Sequence, residues 1–296
     1  MERYRPIVGD FSRFEESLLK PLPKVIWCNP LRGLHSDEWV KERCPEAEPL
    51  DWAKRAWRIP PKTPVGTWIE HKLGIIHVQE EVTLWPADLV GAKPGERVLD
   101  LCAAPGNKTA RMATNMNNEG FIYANEKRWQ RASSLRFNLD RLGVTCVGLG
   151  IGDGREVSLP EEWFDRALVD VPCSGEGMVR KQKGWCRPTS DNERAGLVGT
   201  QKGILRKAVE SVRPGGTLVY ATCTFAPEEN EGVVDWGLRH LPIEMVSLEP
   251  PLSMVVSPGL THWKDQGFHE TMTEAGRFWP HENDTGGFFV ANLRRI

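Results

Sequence analysis

From about Gly74 onward the chain alternates short apolar runs with amphipathic helical stretches, the pattern of a mainly parallel sheet covered on both faces. Arg97–Cys102 reads as a buried strand, Thr109–Asn117 as the following helix, Phe121–Asn125 as a second strand and Arg128–Leu142 as a second helix with apolar residues at 132, 135, 139 and 142. Val144–Leu149 and Arg166–Val171 are the third and fourth strands. Leu197–Val212 is helical, Pro214-Gly215-Gly216 is a turn and Thr217–Thr222 is the fifth strand. Glu228–Leu241 is an amphipathic helix, and Gly287–Leu293 closes the sheet. The expected fold is therefore α/β, a doubly wound, mostly parallel sheet.

Residues 1–70 have a different texture, rich in Pro and Trp, with helix-like stretches at Phe11–Lys20 and Ser36–Arg43 around the apolar run Val25–Cys28. They are expected to form a small N-terminal α/β subdomain, with the main domain over 71–296. Up to Val90 thirteen basic residues face fourteen acidic ones, so this part is not marked as a strong phosphate binder. The seven cysteines (28, 44, 102, 146, 173, 186, 223) are odd in number, scattered and never at Cys-x-x-Cys spacing. That pattern excludes a zinc site and points to reduced thiols in a cytoplasmic protein. His262, His269 and His281 are not paired into a metal site either. No charged leader precedes an apolar run and no stretch of about 18 apolar residues occurs, so neither export nor membrane spanning is expected.

The formal net charge of −2 hides local segregation. Between Glu176 and Arg213 nine Lys or Arg (180, 181, 183, 187, 194, 202, 206, 207, 213) stand against four acids. Lys127, Arg128, Arg131, Arg136 and Arg141 form a second basic run. Taken alone, either run reads equally well as a solvated helix face.

In a doubly wound sheet, ligands sit beyond the carboxyl ends of the strands where the chain order reverses. Four motifs fall at such ends. Cys102-Ala103-Ala104-Pro105-Gly106-Asn107-Lys108 is a turn that lets the backbone approach a ligand before a helix begins. It has neither the Gly-x-Gly-x-x-Gly nor the Walker spacing, so dinucleotide and ATP binding fit poorly. Glu126 ends the second strand, where an acid accepts hydrogen bonds from both hydroxyls of a ribose. Asp153, in Gly152-Asp153-Gly154, is placed to meet an adenine amino group, and Asp170 closes the fourth strand. A lone strand-end acid is more often a helix cap or a surface charge; four in order argue for a nucleotide-like cofactor.

These segments, with Ala124-Asn-Glu126, Asp170-Val-Pro-Cys-Ser-Gly175, Thr222-Cys-Thr224 and Pro227-Glu-Glu-Asn230, resemble in order and spacing the signature segments of the Nol1/Nop2/Sun family of RNA 5-methylcytosine methyltransferases. The likeness runs from about Gln79 to Gly286-Gly-Phe-Phe-Val-Ala291, and 1–70 resembles only loosely that family's small RNA-binding subdomain. The resemblance implies a Rossmann-like class I methyltransferase that binds S-adenosylmethionine through Cys102, Ala103, Ala104, Pro105, Gly106, Asn107, Lys108, Glu126, Asp153 and Asp170. It also implies Cys223 as nucleophile and Cys173 as the thiol that assists release. Asn107 stands where the family usually has a second glycine, and a tight turn there is expected to need a positive φ, which Asn tolerates.

The chemistry supports those roles. Cytosine C5 is too weakly nucleophilic to take a methyl group, even from a sulfonium. Addition of a thiolate to C6 turns the ring into an enamine and pushes charge toward N3 and O2, so a donor to N3 is needed. Asp170, protonated or sharing a proton, can supply it, and Lys108 can tune it. A base, either the Cys173 thiolate or a water it orients, then removes the C5 proton. A free thiol is mostly protonated at neutral pH, so Cys223 needs a lowered pKa or a neighbouring base. The other cysteines, 28, 44, 102, 146 and 186, read as small buried hydrophobes.

A base paired in a duplex cannot present C6 to a thiol, so the target is unpaired or flipped out. Arg180, Lys181, Lys183 and Arg187 follow the Cys173 loop and are expected beside the RNA backbone; Trp185 is expected to pack rather than stack. A DNA cytosine methyltransferase would attack from the Pro-Cys motif and has no need of Cys223. A catalytically silent RNA-binding assembly factor is disfavoured by the joint presence of Cys173, Cys223, Asp170 and Lys108. Ser174–Lys181 favours ribosomal RNA as substrate, with transfer RNA as the alternative. The chain ends soon after the closing strand, so RNA recognition is expected to rest on the core and residues 1–70, in a monomer.

Overall fold

The computed structural model describes residues 1–33, 37–182 and 188–296, with the side chains of Asp37 and Gln182 left aside. Ser36, Lys183, Trp185, Cys186 and Arg187 lie outside the described residues. Helix α1 (Phe11–Leu19) starts where the Asp10 carboxylate accepts the Arg13 N–H at 3.0 Å. The chain then builds β1 (Lys24–Cys28), α2 (Asp37–Arg43), β2 (Glu48–Pro49), β3 (Ala56–Ile59), α3 (Ile69–Lys72) and β4 (Ile76–Gln79). The four strands form an antiparallel sheet in the order β2-β3-β1-β4.

This small sheet runs past residue 70, because β4 pairs along β1 from Val25 opposite Gln79 to Cys28 opposite Ile76. Strand β1 is also buried on both faces. Ile26 and Cys28 pack in the small sheet's own core with Trp57, Ile59 and Ile76. Val25 and Trp27, pointing the other way as strand alternation requires, join the core of the larger sheet. Helix α1 packs elsewhere: Phe11, Phe14 and Leu18 pack with Val179, Phe225 and Trp279 of the main body.

The main body follows as α4 (Trp85–Leu89), β5 (Arg97–Asp100), α5 (Asn107–Asn115), β6 (Phe121–Glu126), α6 (Trp129–Leu142), β7 (Val147–Ile151), β8 (Phe164–Asp170), α7 (Asp191–Ser211), β9 (Val212–Thr222), α8 (Glu231–His240) and β10 (Ile243–Val246). Then come β11 (Ser257–Pro258), the hairpin β12 (His262–Trp263) and β13 (Gln266–Gly267), β14 (Gly276–Phe278) and β15 (Phe288–Arg295). Among the described residues the large sheet has nine strands in the order β11-β14-β15-β9-β8-β5-β6-β7, with β10 also on β15. From β9 to β7 every pairing is parallel, and β15 runs antiparallel to β9. The chain leaves β5 for β6 on one side and returns to β8 on the other, so the order reverses between β5 and β8.

Local chemistry explains where the elements begin and end. Helix α6 buries Ala132, Leu135, Leu139 and Leu142 on one stripe and stops at Gly143, whose φ of 73° few other residues adopt. Helix α7 starts at Asp191, six residues before the sequence expectation, because Ser190 and Glu193 form a reciprocal capping box. The Pro214-Gly215-Gly216 turn is absorbed into β9 as a register shift: Phe164 pairs with Val212, but Arg166 already pairs with Thr217.

Candidate active site

The two thiols fifty residues apart in sequence are brought side by side, Cys173 Sγ lying 3.3 Å from Cys223 Sγ. Cys223 directly follows β9 and Cys173 lies three residues beyond β8, so neighbouring parallel strands deliver both. Cys173's hydrogen bond to the Cys223 sulfur holds the Cys223 thiol below its ordinary pKa against burial and the Asp170 charge, with Lys108 helping. The same contact, reinforced by burial, pushes Cys173 well up. The pair therefore favours a thiolate on Cys223 and a proton on Cys173. Lys108 Nζ donates to Asp170 Oδ2 at 2.7 Å. Burial opposes the Lys108 charge, but the Asp170 carboxylate outweighs it and raises the lysine's pKa.

Buried groups with no role evident in the sequence hold the loops that carry the two thiols. The Glu229 carboxylate accepts the Ser174 N–H at 2.9 Å, the Gln201 amide at 3.0 Å and Arg194 at 2.9 Å. Asn230 accepts the Thr222 hydroxyl at 2.5 Å and donates to the Thr224 carbonyl at 3.1 Å. Gly177 lets the two loops meet: its N–H donates to the Cys223 carbonyl at 2.9 Å, and a Cβ there would stand 2.1 Å from the Gly287 carbonyl oxygen. Asp100 lies beneath the site, its carboxylate bonded to the Thr109 hydroxyl at 2.7 Å, and burial pushes its pKa up to about 7. The signal for Glu229 and Asn230 was present in Pro227-Glu-Glu-Asn230; that for Asp100, a lone acid ending an apolar strand, was not distinctive.

Two cavities meet at this cluster. One of about 480 Å³ is lined by Cys102, Ala104, Glu126, Asp153, Asp170, Cys173 and Cys223 among others. The second, about 640 Å³, lies toward the small sheet and is lined by Lys20, Lys24, Gln79, Asn107, Lys108, Asp170, Cys223 and Phe288 among others. Asp170 and Cys223 line both, so they form the wall between the two spaces. Glu126 is buried, accepts the Arg128 N–H at 2.9 Å and pairs with Arg131 at 3.1 Å. The Asp153 carboxylate is engaged by Arg155 at 2.6 Å and Lys127 at 2.7 Å, and the Arg155 hydrogen bond, first among these contacts, holds its pKa well below the usual range.

Of the turn residues, Gly106 takes the left-handed conformation, with φ 103°. Asn107 therefore needs no positive φ, contrary to the sequence expectation: it is the first residue of α5, and its Oδ1 lies 3.0 Å from His77 Nε2. Cys102 is half-buried at the cavity wall, and burial raises its pKa well above the ordinary thiol's.

The basic runs are only partly free for a polyanion. Arg180 is buried and its guanidinium is already engaged, donating to the carbonyls of Lys20, Pro21 and Thr285 and to Asp284 at 2.6 Å. The guanidinium's five N–H donors can be satisfied by backbone carbonyls as well as by phosphates. Arg194 is likewise buried, between Glu176 and Glu229. Lys181 is exposed. Among the described residues no group of His, Cys, Asp and Glu could hold a metal ion.

A family model described as 16S rRNA methyltransferase RsmB/F matches residues 87–294. A tRNA (cytosine(49)-C(5))-methyltransferase of Pyrococcus abyssi is 36% identical over 298 residues, covering 100% of this chain and 95% of that protein. The ribosomal RNA small subunit methyltransferase F of Erwinia tasmaniensis is 34% identical over 309 residues, covering 100% of this chain but 62% of its own length. A crystal structure of a methyltransferase homologue from Pyrococcus horikoshii superposes with a TM-score of 0.85 at 32% identity, over 100% of this chain and 94% of that one.

Proposed function

The chain belongs to the Nol1/Nop2/Sun family of S-adenosylmethionine-dependent RNA cytosine-C5 methyltransferases, and from that membership we propose that Cys223 is its nucleophile and Cys173 its release thiol. The observation that carries this reading is the 3.3 Å contact of the two sulfurs, with Cys223 in the wall between two cavities and Cys173 lining one of them. The cavity lined by Glu126, Cys102 and Ala104 would take the cofactor, and the one toward the small sheet, lined by Pro105, Asn107 and Lys108, would take the extruded base.

The first cavity suits a sulfonium nucleoside. Its wall combines apolar Leu101, Ala104 and Ile204 with the acids Glu126, Asp153 and Asp170, acceptors fitted to hydroxyls and to a cation. When bound, S-adenosylmethionine supplies an electrophilic methyl group. Glu126 holds the ribose hydroxyls. Glu126→Ala is expected to weaken cofactor binding by about 1–3 kcal/mol, read by calorimetry; unchanged affinity contradicts the assignment.

The Cys223 thiolate forms a bond to C6, the C5–C6 π pair shifts to C4–C5, and the C4–N3 π pair moves onto N3. Asp170, protonated or sharing a proton, donates to N3 as charge builds there, and Lys108, 2.7 Å from it, tunes it electrostatically. C5 takes the methyl group as the pair on N3 returns to C4–N3, the demethylated thioether is the leaving group, and the C5 proton must then leave. In the resting pair Cys173 keeps its proton chiefly because of its bond to Cys223. Once Cys223 has become a thioether that cause is gone, so Cys173 loses its proton more readily at the stage where a base is needed. Removal of the C5 proton returns the electron pair to C5–C6 and expels the Cys223 thiolate.

A pH dependence follows. Thiolate fraction rises above the pKa, so the rate of covalent addition should climb along a limb below the ordinary thiol value of about 8.5. Cys173→Ala removes the hydrogen bond that chiefly lowers the Cys223 pKa, and the limb should move to higher pH. Single-turnover adduct formation across pH measures it; an unmoved limb would contradict the sulfur–sulfur support.

Ribosomal RNA is the substrate we propose first, on the description of the matching family model. Transfer RNA is the second reading, favoured by the near-complete mutual coverage with the transfer-RNA enzyme. Bisulfite sequencing of both RNA classes with and without the gene decides between them: loss of one protected cytosine in small-subunit rRNA supports the first, loss in tRNA the second, and loss in neither overturns both. We place the reaction in the cytoplasm, where thiols stay reduced, and in a monomer. No described helix is long and apolar enough to cross a membrane.

A further inference from the structure

Two consecutive residues at the start of α8 grip the two thiol loops separately. Glu229 is fully buried, and one of its oxygens, Oε2, reaches both flanks of Cys173: it accepts the Ser174 N–H at 2.9 Å and the Gln201 amide at 3.0 Å. The same Gln201 nitrogen donates to the Pro172 carbonyl at 2.9 Å. Asn230, also fully buried, does the equivalent for Cys223, with the Thr222 hydroxyl at 2.5 Å and the Thr224 carbonyl at 3.1 Å. The loops touch each other through the Ser174 and Thr224 hydroxyls at 2.7 Å. Neither Glu229 nor Asn230 lines either of the two cavities that meet at the thiols.

We propose that Glu229 and Asn230 are positioning residues that set the two sulfurs independently, Glu229 governing release through Cys173 and Asn230 governing addition through Cys223. Because the residues are adjacent, just ahead of α8, a single peptide unit couples the two grips, in addition to the direct contacts between the loops. The proposal rests on the roles assigned to the two thiols above.

Glu229→Gln keeps the side chain's shape and an oxygen for Arg194, but the amide nitrogen cannot accept the Ser174 N–H. An ångström-scale displacement of a reacting group costs about 100-fold in rate. Release should slow by about that factor while addition continues, so the variant accumulates an RNA-linked species on denaturing gels as turnover falls. Asn230→Ala should lower addition and turnover together, with cofactor affinity unchanged. A purely structural role would make the two variants alike, each losing adduct and turnover in proportion.

Circular dichroism melts check folding. Should Glu229→Gln fail to fold, Gln201→Met, which removes the link to Pro172 at similar volume, carries the same expectation of adduct build-up. Wild-type behaviour of the folded variant, or equal loss of adduct and turnover, overturns the proposal. Cys173→Ala run alongside separates the two failures: adduct with Cys173→Ala but not with Glu229→Gln refutes the positioning role alone, whereas no adduct with either refutes the thiol roles on which it rests.

Discussion

Cys173→Ala should leave the enzyme joined to its RNA. The variant keeps Cys223, Lys108 and Asp170, so the carbon–sulfur bond can form and C5 can be methylated, but no thiol remains 3.3 Å away to accept the C5 proton or to orient a water that does. The loss of the sulfur–sulfur hydrogen bond slows addition at neutral pH, so the adduct builds gradually and then persists. A retarded band on a denaturing gel, absent from Cys173→Ala/Cys223→Ala, is the expected result. Free RNA and wild-type turnover would remove Cys173 from the mechanism.

Cys223→Ala should stop methylation while sparing the cofactor. Without a sulfur at C6 the ring never gains the electron density that C5 needs, and losing a covalent nucleophile typically costs on the order of 10⁴-fold or more in rate. The cavity lined by Glu126, Cys102 and Ala104 is otherwise unchanged, so calorimetric cofactor affinity should stay near wild type. Turnover within about tenfold of wild type would place the nucleophile elsewhere.

Much of this arrangement was legible in the amino-acid order because buried faces impose a period. Helix α6 shows its stripe at 132, 135, 139 and 142, and β5, β6 and β8 are apolar runs ended by turn residues. Strands such as β2, β11 and β14 were not legible, since two or three residues carry no period. The first turn of α7 was missed because its exposed polar residues form a cap rather than a stripe. Charge was the least readable property. Arg180 and Arg194 look like the neighbouring Lys181 in sequence, yet both are buried on carbonyls and carboxylates. The paired thiols, Lys108 and Asp170 were readable as a set because each sits in a distinctive motif. Glu229 and Asn230 needed the fold to show which backbone groups they hold.

The most direct measurement uses wild-type enzyme and RNA in which 5-fluorocytidine replaces cytidine. After addition and methyl transfer the fluorine cannot leave as a proton does, so the adduct is retained without altering the protein. Digestion and mass spectrometry then identify the modified peptide. The nucleotide is expected on the peptide carrying Cys223. Attachment to the peptide carrying Cys173 would contradict the account.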